Sequence, residues 1–426
     1  MGNVCINEAK TGFELDGKPF FYLADTVWSA FTNASLDDWE FYLRRRQEQG
    51  FTHFQVNTTP QWDRQLPDLG IYPYASEDGI KLDFSKPNPA FWEHARTMCD
   101  MAREHGIRPA LILVWANLVP GTWIERIGKA VQSIPFEMID AHIATVVEQL
   151  GEYDPIYIVS GDTDFAGDPE TVRYYAEALR SIREHAPEAL KTFHLAGLEK
   201  ALPEELVDGA DFFMFQSGHV AREDQSVIFE LPLAFLEKYS KRPIINSEPC
   251  YEQMGLRRAY GRYGRREVRF AAWTSICSGA CAGITYGAHG IWNWRSVRSE
   301  GAYPGNIFGV PYLWQDALQF PGAWDYGYIG RLLAQLDMRE LEAANDDLAL
   351  ETEEVRLAKT VDGRYLAYLP WNSDLAIKAE LSGVKAYAID LENHFVADLP
   401  VSAKDGVTVI GQHPFTGDAL VVLDRA

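Results

Sequence analysis

The 426-residue sequence predicts an α/β protein, a (β/α)8 TIM barrel over 1–339 followed by a small antiparallel β-sandwich over 340–426. Three observations predict it. Short apolar runs alternate with longer amphipathic stretches, the repeat of a βα barrel. The runs are continuously apolar rather than alternating, as expected for parallel strands covered on both faces. After about Glu340 the pattern changes to short strands separated by turn pairs. The length also favours two domains, because single cores stop growing near roughly 250–300 residues. An open doubly wound sheet is the competing architecture; it is disfavoured because no G-x-G-x-x-G or G-x-x-x-x-G-K-[ST] follows the first strand.

Eight candidate strands occur in order: Phe20–Asp25, His53–Asn57, Arg108–Trp115, Ile156–Ser160, Thr192–Ala196, Phe212–Gln216, Pro243–Ser247 and Gly283–Tyr286. Helical patterns separate them. Ser35 is the expected N-cap of a helix with Asp37 and Asp38 in its first turn, and Gly50 is its stop. Pro89–His105 is a second helix and Phe136–Leu150 a third. Asp168-Pro169-Glu170 caps a fourth that reaches His185. Ser226–Tyr239, Arg265–Cys281 and Pro311–Asp337 complete the set. An N-terminal hairpin turns at Asp16-Gly17. The sandwich strands are Val355–Thr360, Arg364–Leu369, Ala376–Leu381, Ala386–Leu391, Val407–Ile410 and Ala419–Leu423. Asp362-Gly363, Ser382-Gly383, Asp405-Gly406 and Thr416-Gly417 are the turn signals between them.

Composition narrows the partners. A formal net charge of −22 argues against nucleic acid and anionic membranes. No apolar stretch reaches the ~18–20 residues of a membrane helix, and no secretory leader is visible at Met1-Gly2-Asn3. The five cysteines contain no C-x-x-C pair, so no zinc or redox motif is signalled and no cofactor is expected. A reducing, cytoplasmic setting is the expectation. Cys277 and Cys281, four apart, are expected on one helix as small buried side chains. Twelve Trp and twenty Tyr are many, and several stand at strand ends, where aromatic platforms suit the C–H faces of sugars.

In this fold active sites lie at the C-terminal ends of the strands. Two carboxylates stand directly after apolar strand cores there, Asp162 on strand four and Glu248 on strand seven. Opposed carboxylates across a barrel mouth are what glycoside hydrolysis needs: an acid to protonate the leaving oxygen and a carboxylate to attack the anomeric carbon. Asp164, two residues on, is the competing acid, and it equally suits a helix cap. The candidate substrate-binding residues are Asp25, Trp28, Asn57, Trp62, Trp115, Asn117, His194, Gln216, His219, Tyr286, His289 and Trp292. Tyr286 is expected near Glu248. Trp28, Trp62, Trp115, Trp292 and Trp294 are expected to close the mouth into a pocket for one terminal sugar. No Ser lies in G-x-S-x-G, which disfavours a serine triad. Two other readings stay open: a metal-dependent barrel hydrolase using His194, His219, His289 and Asp25, and a non-catalytic carbohydrate-binding barrel. The oligomeric state is not legible.

The segments LADTVWSAF (23–31), VSGD (159–162), NSEPCYE (246–252) and GITYGAHGIW (283–292) resemble the apiosidase-like glycoside hydrolases, glycoside hydrolase family 140. The resemblance runs from about Gly12 to Asp337, and a trailing sandwich is usual there. It implies a (β/α)8 barrel, retaining chemistry, an acid/base at Asp162 and a nucleophile at Glu248. It further implies a carbohydrate substrate, since the family removes apiose, a branched pentofuranose, from a pectin side chain. Many barrel glycosidases carry Asn immediately before the acid to bind the sugar 2-hydroxyl. Here that place is Gly161, so Asn57 or Asn117 is expected to supply the contact.

Overall fold

A computed structural model describes residues 2–165, 167–220, 224–256, 261–298, 308–350, 352–381 and 383–425. Eight parallel strands wind in chain order: β1 (Tyr22–Thr26), β2 (His53–Asn57), β3 (Arg108–Trp115), β4 (Ile156–Gly161), β5 (Lys191–Thr192), β6 (Phe213–Phe215), β7 (Ile244–Asn246) and β8 (Gly283–Tyr286). They pair in the order β5-β4-β3-β2-β1-β8-β7-β6. The seam between β5 and β6 is bridged by Asp211 N donating to Lys191 O at 2.8 Å and by Thr192 Oγ1 donating to Phe212 O at 2.8 Å. The strands match the sequence expectation to within a few residues. The fifth is the shortest: two residues join the ladder, and Leu195 is linked only by an isolated bridge to Thr163.

Local chemistry sets the helix ends. In α1 (Leu36–Gln49), Ser35 accepts from Asp38 N at 3.2 Å, a cap of about 0.5–2 kcal/mol. Gly50 ends the helix at φ 86°, a left-handed conformation that a side chain would strain. α2 (Pro89–Glu104) and α3 (Ile139–Leu150) follow. In α4 (Pro169–His185), Asp168 accepts from Glu170 N at 2.8 Å and Pro169 fills a first-turn place that needs no donor. α5 (Glu204–Val207), α6 (Val227–Lys238), α7 (Arg265–Cys277) and α8 (Gly322–Gln335) complete the outer ring. The expected helix to Cys281 is shorter, because Gly279 at φ 107° turns the chain after Cys277. Cys281 therefore lies beyond the helix, its Sγ donating to Leu341 O at 3.0 Å. The expected Pro311–Asp337 helix is two, Trp314–Ala317 and α8, separated at Pro321.

The barrel interior is filled by Tyr22, Ala24, Ala110, Ile112, Ile156, Ile158, Met214 and Ile245. The N-terminal hairpin closes its floor. Phe13 meets Phe212 edge to face at 5.1 Å, and an unforeseen strand, Val4–Ile6, pairs with Phe13–Leu15. With the strand N-termini plugged, the open mouth is at the other end.

Beyond the barrel, a six-stranded antiparallel sheet runs Leu341–Ala343, Arg356–Thr360, Tyr365–Leu369, Ala419–Arg425, Val384–Asp390 and Val396–Leu399 in spatial order. A three-stranded sheet of Leu375–Ile377, Val407–Ile410 and Val401–Lys404 faces it. Leu357, Leu369, Ile377, Ile410 and Val421 fill the space between the sheets. On the other face of the larger sheet, Leu366, Tyr368, Leu420 and Val422 join the barrel's own helix-packing core. Ser382, one residue of an expected turn pair, lies outside the described residues. Among the described residues no helix is long and apolar enough to cross a membrane.

Candidate active site

The strand ends surround a cavity of about 900 Å³. That is the upper end of the roughly 300–1,000 Å³ usual for small-molecule sites. Its wall includes Trp28, Trp62, Trp115, Asp162, Gln216, His219, Glu248, His289 and Trp292, all singled out from the sequence, together with Asp164.

Glu248 stands two residues beyond β7. Its Oε1 is 3.2 Å from His219 Nε2 and its Oε2 is 3.3 Å from His194 Nε2. Both rings are held from behind. His194 Nδ1 meets Ser247 Oγ at 2.8 Å, and His219 Nδ1 accepts from Tyr251 N at 3.4 Å. Gly218 N donates to Glu248 O at 3.0 Å, which fixes the histidine loop to the carboxylate's own backbone. Burial alone pushes the Glu248 carboxyl up, but the two imidazoles outweigh it and hold the group below the usual carboxylate range.

Asp162 has the opposite surroundings. It follows β4 with φ 50°, a left-handed conformation uncommon for a residue with a side chain. Its backbone carbonyl accepts from Trp123 Nε1 at 2.8 Å. Among the described residues its carboxyl has no hydrogen bond and no cation. Burial, then the negative charges of Glu248, Asp63 and Asp164, raise it well above the usual range. The glycine before it has a packing reason. A Cβ on Gly161 would fall 2.3 Å from Trp115 Cε3, so a side chain there would displace the cavity's tryptophan.

Asp164 is already committed. It accepts from Trp123 N at 2.8 Å and pairs with Arg126 Nη2. The aromatic wall is interlocked: Trp28 Nε1 donates to Tyr251 Oη at 3.1 Å, and the Trp28 and Trp115 rings lie 5.1 Å apart. His289 Nδ1 accepts from Trp292 Nε1 at 3.3 Å.

Several expected residues are elsewhere. Asp25 is fully buried, its Oδ2 2.6 Å from Arg46 Nε and 2.8 Å from Tyr42 Oη, so it serves an internal ion pair and not a ligand. Tyr286 donates to Glu252 Oε2 at 2.6 Å, not to Glu248. Asn57 is buried beneath its own loop, where it accepts from Thr59 N at 3.1 Å and donates to Gln61 Oε1 at 3.1 Å. Asn117 lines a smaller cleft of about 80 Å³ beside the mouth. Trp294 is fully buried, stacked on Trp314 at 5.0 Å, and closes nothing. His194 and His219 meet at the Glu248 carboxylate, whereas His289 is engaged by Trp292 Nε1 and lies 3.3 Å from Gly309 O. Among the described residues no group of three or more His, Cys, Asp or Glu side chains is arranged to hold a metal ion.

Asp63, Trp123 and Tyr251 are among the wall residues that were not candidates from the sequence. Asp63 follows Trp62 in the loop after β2, and Tyr251 sits three residues past Glu248. Position near a strand end was the available signal for both. Trp123 lies eight residues beyond β3 and carried no such signal.

The family model for the apiosidase-like catalytic domain matches residues 10–340. No curated protein matches the chain. Among solved structures, a protein described as a glycoside hydrolase is 19% identical with a TM-score of 0.80, over 100% of this chain and 97% of that one. A glycoside hydrolase family 5 protein from Bacteroides vulgatus ATCC 8482 is 20% identical with a TM-score of 0.80, over 100% and 93%. A glycoside hydrolase family 5 mannosidase from Rhizomucor miehei is 15% identical with a TM-score of 0.52, over 80% and 100%. At these identities the structural likeness is one of fold.

Proposed function

The chain belongs to the apiosidase-like family of glycoside hydrolases, and from that premise we propose that it is a retaining, exo-acting enzyme that removes one terminal sugar, a pentofuranose such as apiose. Glu248 is the nucleophile and Asp162 the acid/base. The observation that carries this is the opposed electrostatics of the two carboxyls. The carboxyl of one is pushed down by two imidazoles, and that of the other is pushed well up by burial and by its neighbour's charge. Pairs whose environments push their pKa values apart identify an acid and a base.

In the first step the Glu248 carboxylate attacks the anomeric carbon while Asp162 gives its proton to the departing glycosidic oxygen. A glycosyl ester on Glu248 and the free aglycone alcohol result. In the second step Asp162, now ionised, takes a proton from water, whose oxygen attacks the anomeric carbon and releases Glu248. The charge lost from Glu248 on esterification lowers the pKa of Asp162, which suits its change from acid to base. Trp28, Trp115 and Trp292 offer apolar faces for the sugar ring, and the walled mouth favours a chain end over a polymer interior.

The experiment is hydrolysis of a panel of aryl pentofuranosides and pyranosides, with the first-formed anomer read by NMR. Turnover of a furanoside with retained configuration is the expected result. Inversion would require carboxyls roughly 6.5–9.5 Å apart with room for an attacking water, and would remove the two-step scheme.

A further inference from the structure

We propose that Asp63 is a sugar-binding residue of this cavity, its Oδ2 holding a ring hydroxyl of the terminal sugar and supplying the contact that Gly161 leaves open. The inference rests on the glycosidase reading and extends it to a residue that the reading does not use.

The residue before the acid cannot make this contact, because Gly161 has no side chain and Trp115 occupies the space one would need. The two asparagines expected to substitute are spent elsewhere, Asn57 inside its own loop and Asn117 in the side cleft. Asp63 lines the cavity itself. A relay from the barrel positions it: Thr59 N donates to Asn57 Oδ1 at 3.1 Å, Asn57 Nδ2 to Gln61 Oε1 at 3.1 Å, and Gln61 Nε2 to Asp63 Oδ1 at 3.1 Å. Asn57 thus serves the site at second hand.

The relay engages one carboxyl oxygen. Among the described residues, Oδ2 has no hydrogen-bond partner and the group no cation. Asp162, the acid/base, likewise has no cation among the described residues, but other acids are compensated: Asp164 by Arg126, Asp25 by Arg46, and Asp68 by Arg64 at 2.7 Å, so the guanidinium adjacent in sequence is engaged elsewhere. Asp63 is half-buried; holding an uncompensated acid even partly out of water costs stability, and such exceptions collect where a ligand completes the bonding. Burial raises the Asp63 carboxyl to about 7, with a further contribution from the Glu248 charge. Near neutral pH the group is therefore partly protonated. It can donate to a hydroxyl as well as accept, and it adds less negative charge beside the nucleophile than a fixed carboxylate would.

The test compares wild type, Asp63→Ala and Asp63→Asn on the aryl glycoside that the wild type cleaves best and on its mono-deoxy analogues. Asp63→Ala is expected to lower kcat/KM by roughly 10–100-fold on the parent compound. One deoxy analogue should lose a comparable factor in the wild type, and on that analogue wild type and Asp63→Ala should agree. Asp63→Asn, which keeps a donor and an acceptor, should recover most of the parent rate. An equal penalty on every analogue would mark Asp63 as a mere loop support and overturn the proposal, while wild-type turnover leaves the glycosidase reading standing. If the wild type cleaves no glycoside, that reading fails instead, and titration calorimetry with free pentoses and hexoses isolates Asp63. Binding lost in Asp63→Ala upholds the proposal; unchanged affinity, or no binding by the wild type, overturns it.

Discussion

His219 Nε2 lies 3.2 Å from Glu248 Oε1, and the Tyr251 backbone N–H approaches the far side of the same ring at 3.4 Å. The backbone donor occupies Nδ1, so the proton of the neutral ring is on Nε2 and faces the carboxylate. The nucleophile's charge is therefore held by a donor whose tautomer the chain itself fixes.

Removing that donor should show in the pH profile. Glu248 must be ionised to attack, and its depressed pKa keeps activity available on the acid side. In His219→Ala its pKa rises, so the acid limb of kcat/KM moves to higher pH, and kcat/KM at the optimum falls about 10–100-fold. An unmoved acid limb would show that His219 does not hold the charge.

Asp162 governs the opposite limb. It must be protonated for the first step, and its raised pKa extends the pH range in which it is so; activity is lost as pH rises through that pKa. Asp162→Ala should abolish the alkaline limb, spare substrates with good leaving groups in the first step, and regain turnover with added azide as a glycosyl azide. Asp164→Ala should do none of these, because its carboxyl is bound to Arg126 and Trp123 N. Azide rescue of the Asp164 variant would exchange the two roles.

The Asp25–Arg46 pair is both buried and isolated from the cavity. Asp25→Asn leaves the guanidinium without its counter-charge and should cost about 3–5 kcal/mol by denaturant titration. KM in the folded protein should not change. A raised KM with stability intact would return Asp25 to the substrate site.

The sandwich is fastened to the barrel by a second buried network. Arg269 on α7 binds Asp418 Oδ2 at 2.8 Å and Asp325 on α8 at 2.9 Å, and Tyr368 Oη donates to Asp418 at 3.2 Å. Arg269→Ala strands the buried Asp418 carboxylate, while Asp325 keeps Arg265 at 2.7 Å, and should lower stability by about 3–5 kcal/mol, with kcat in the folded protein little changed. Ending the chain at 340 should likewise expose the apolar face covered by Leu366, Tyr368 and Val422, and cost solubility before chemistry. A soluble, stable 1–340 chain without activity would place part of the site on the sandwich.

What was legible follows from what each signal encodes. Strands read well because parallel strands covered on both faces are continuous apolar runs, as in RPALILVW of β3. Caps at Ser35 and Asp168 read well because they are local chemistry. Strand-end position brought Asp162 and Glu248 to one cavity, since the barrel turns sequence order into angular order. The same rule erred where a side chain's direction decides. Asp25 is next to last in β1 and Tyr286 last in β8, yet alternate residues point to opposite sides, and these two meet Arg46 and Glu252 behind the sheet. Trp294 fell to a helical-layer partner, Trp314, whose helix begins twenty residues later in the chain. Asp63 was hidden because its place in the cavity, a carboxyl held on one oxygen by Gln61 and without a cation among the described residues, exists only once the loop after β2 is folded.

The most direct test of the central account is peptide mapping after reaction with an activated 2-deoxy-2-fluoro glycoside of the preferred sugar. Fluorine slows both steps, and the activated leaving group restores the first, so the glycosyl ester accumulates. The account requires an added mass of one fluorosugar on the peptide carrying Glu248, with Glu248→Ala unlabelled. Label on another carboxylate, or steady turnover with no adduct and an inverted product, would contradict it.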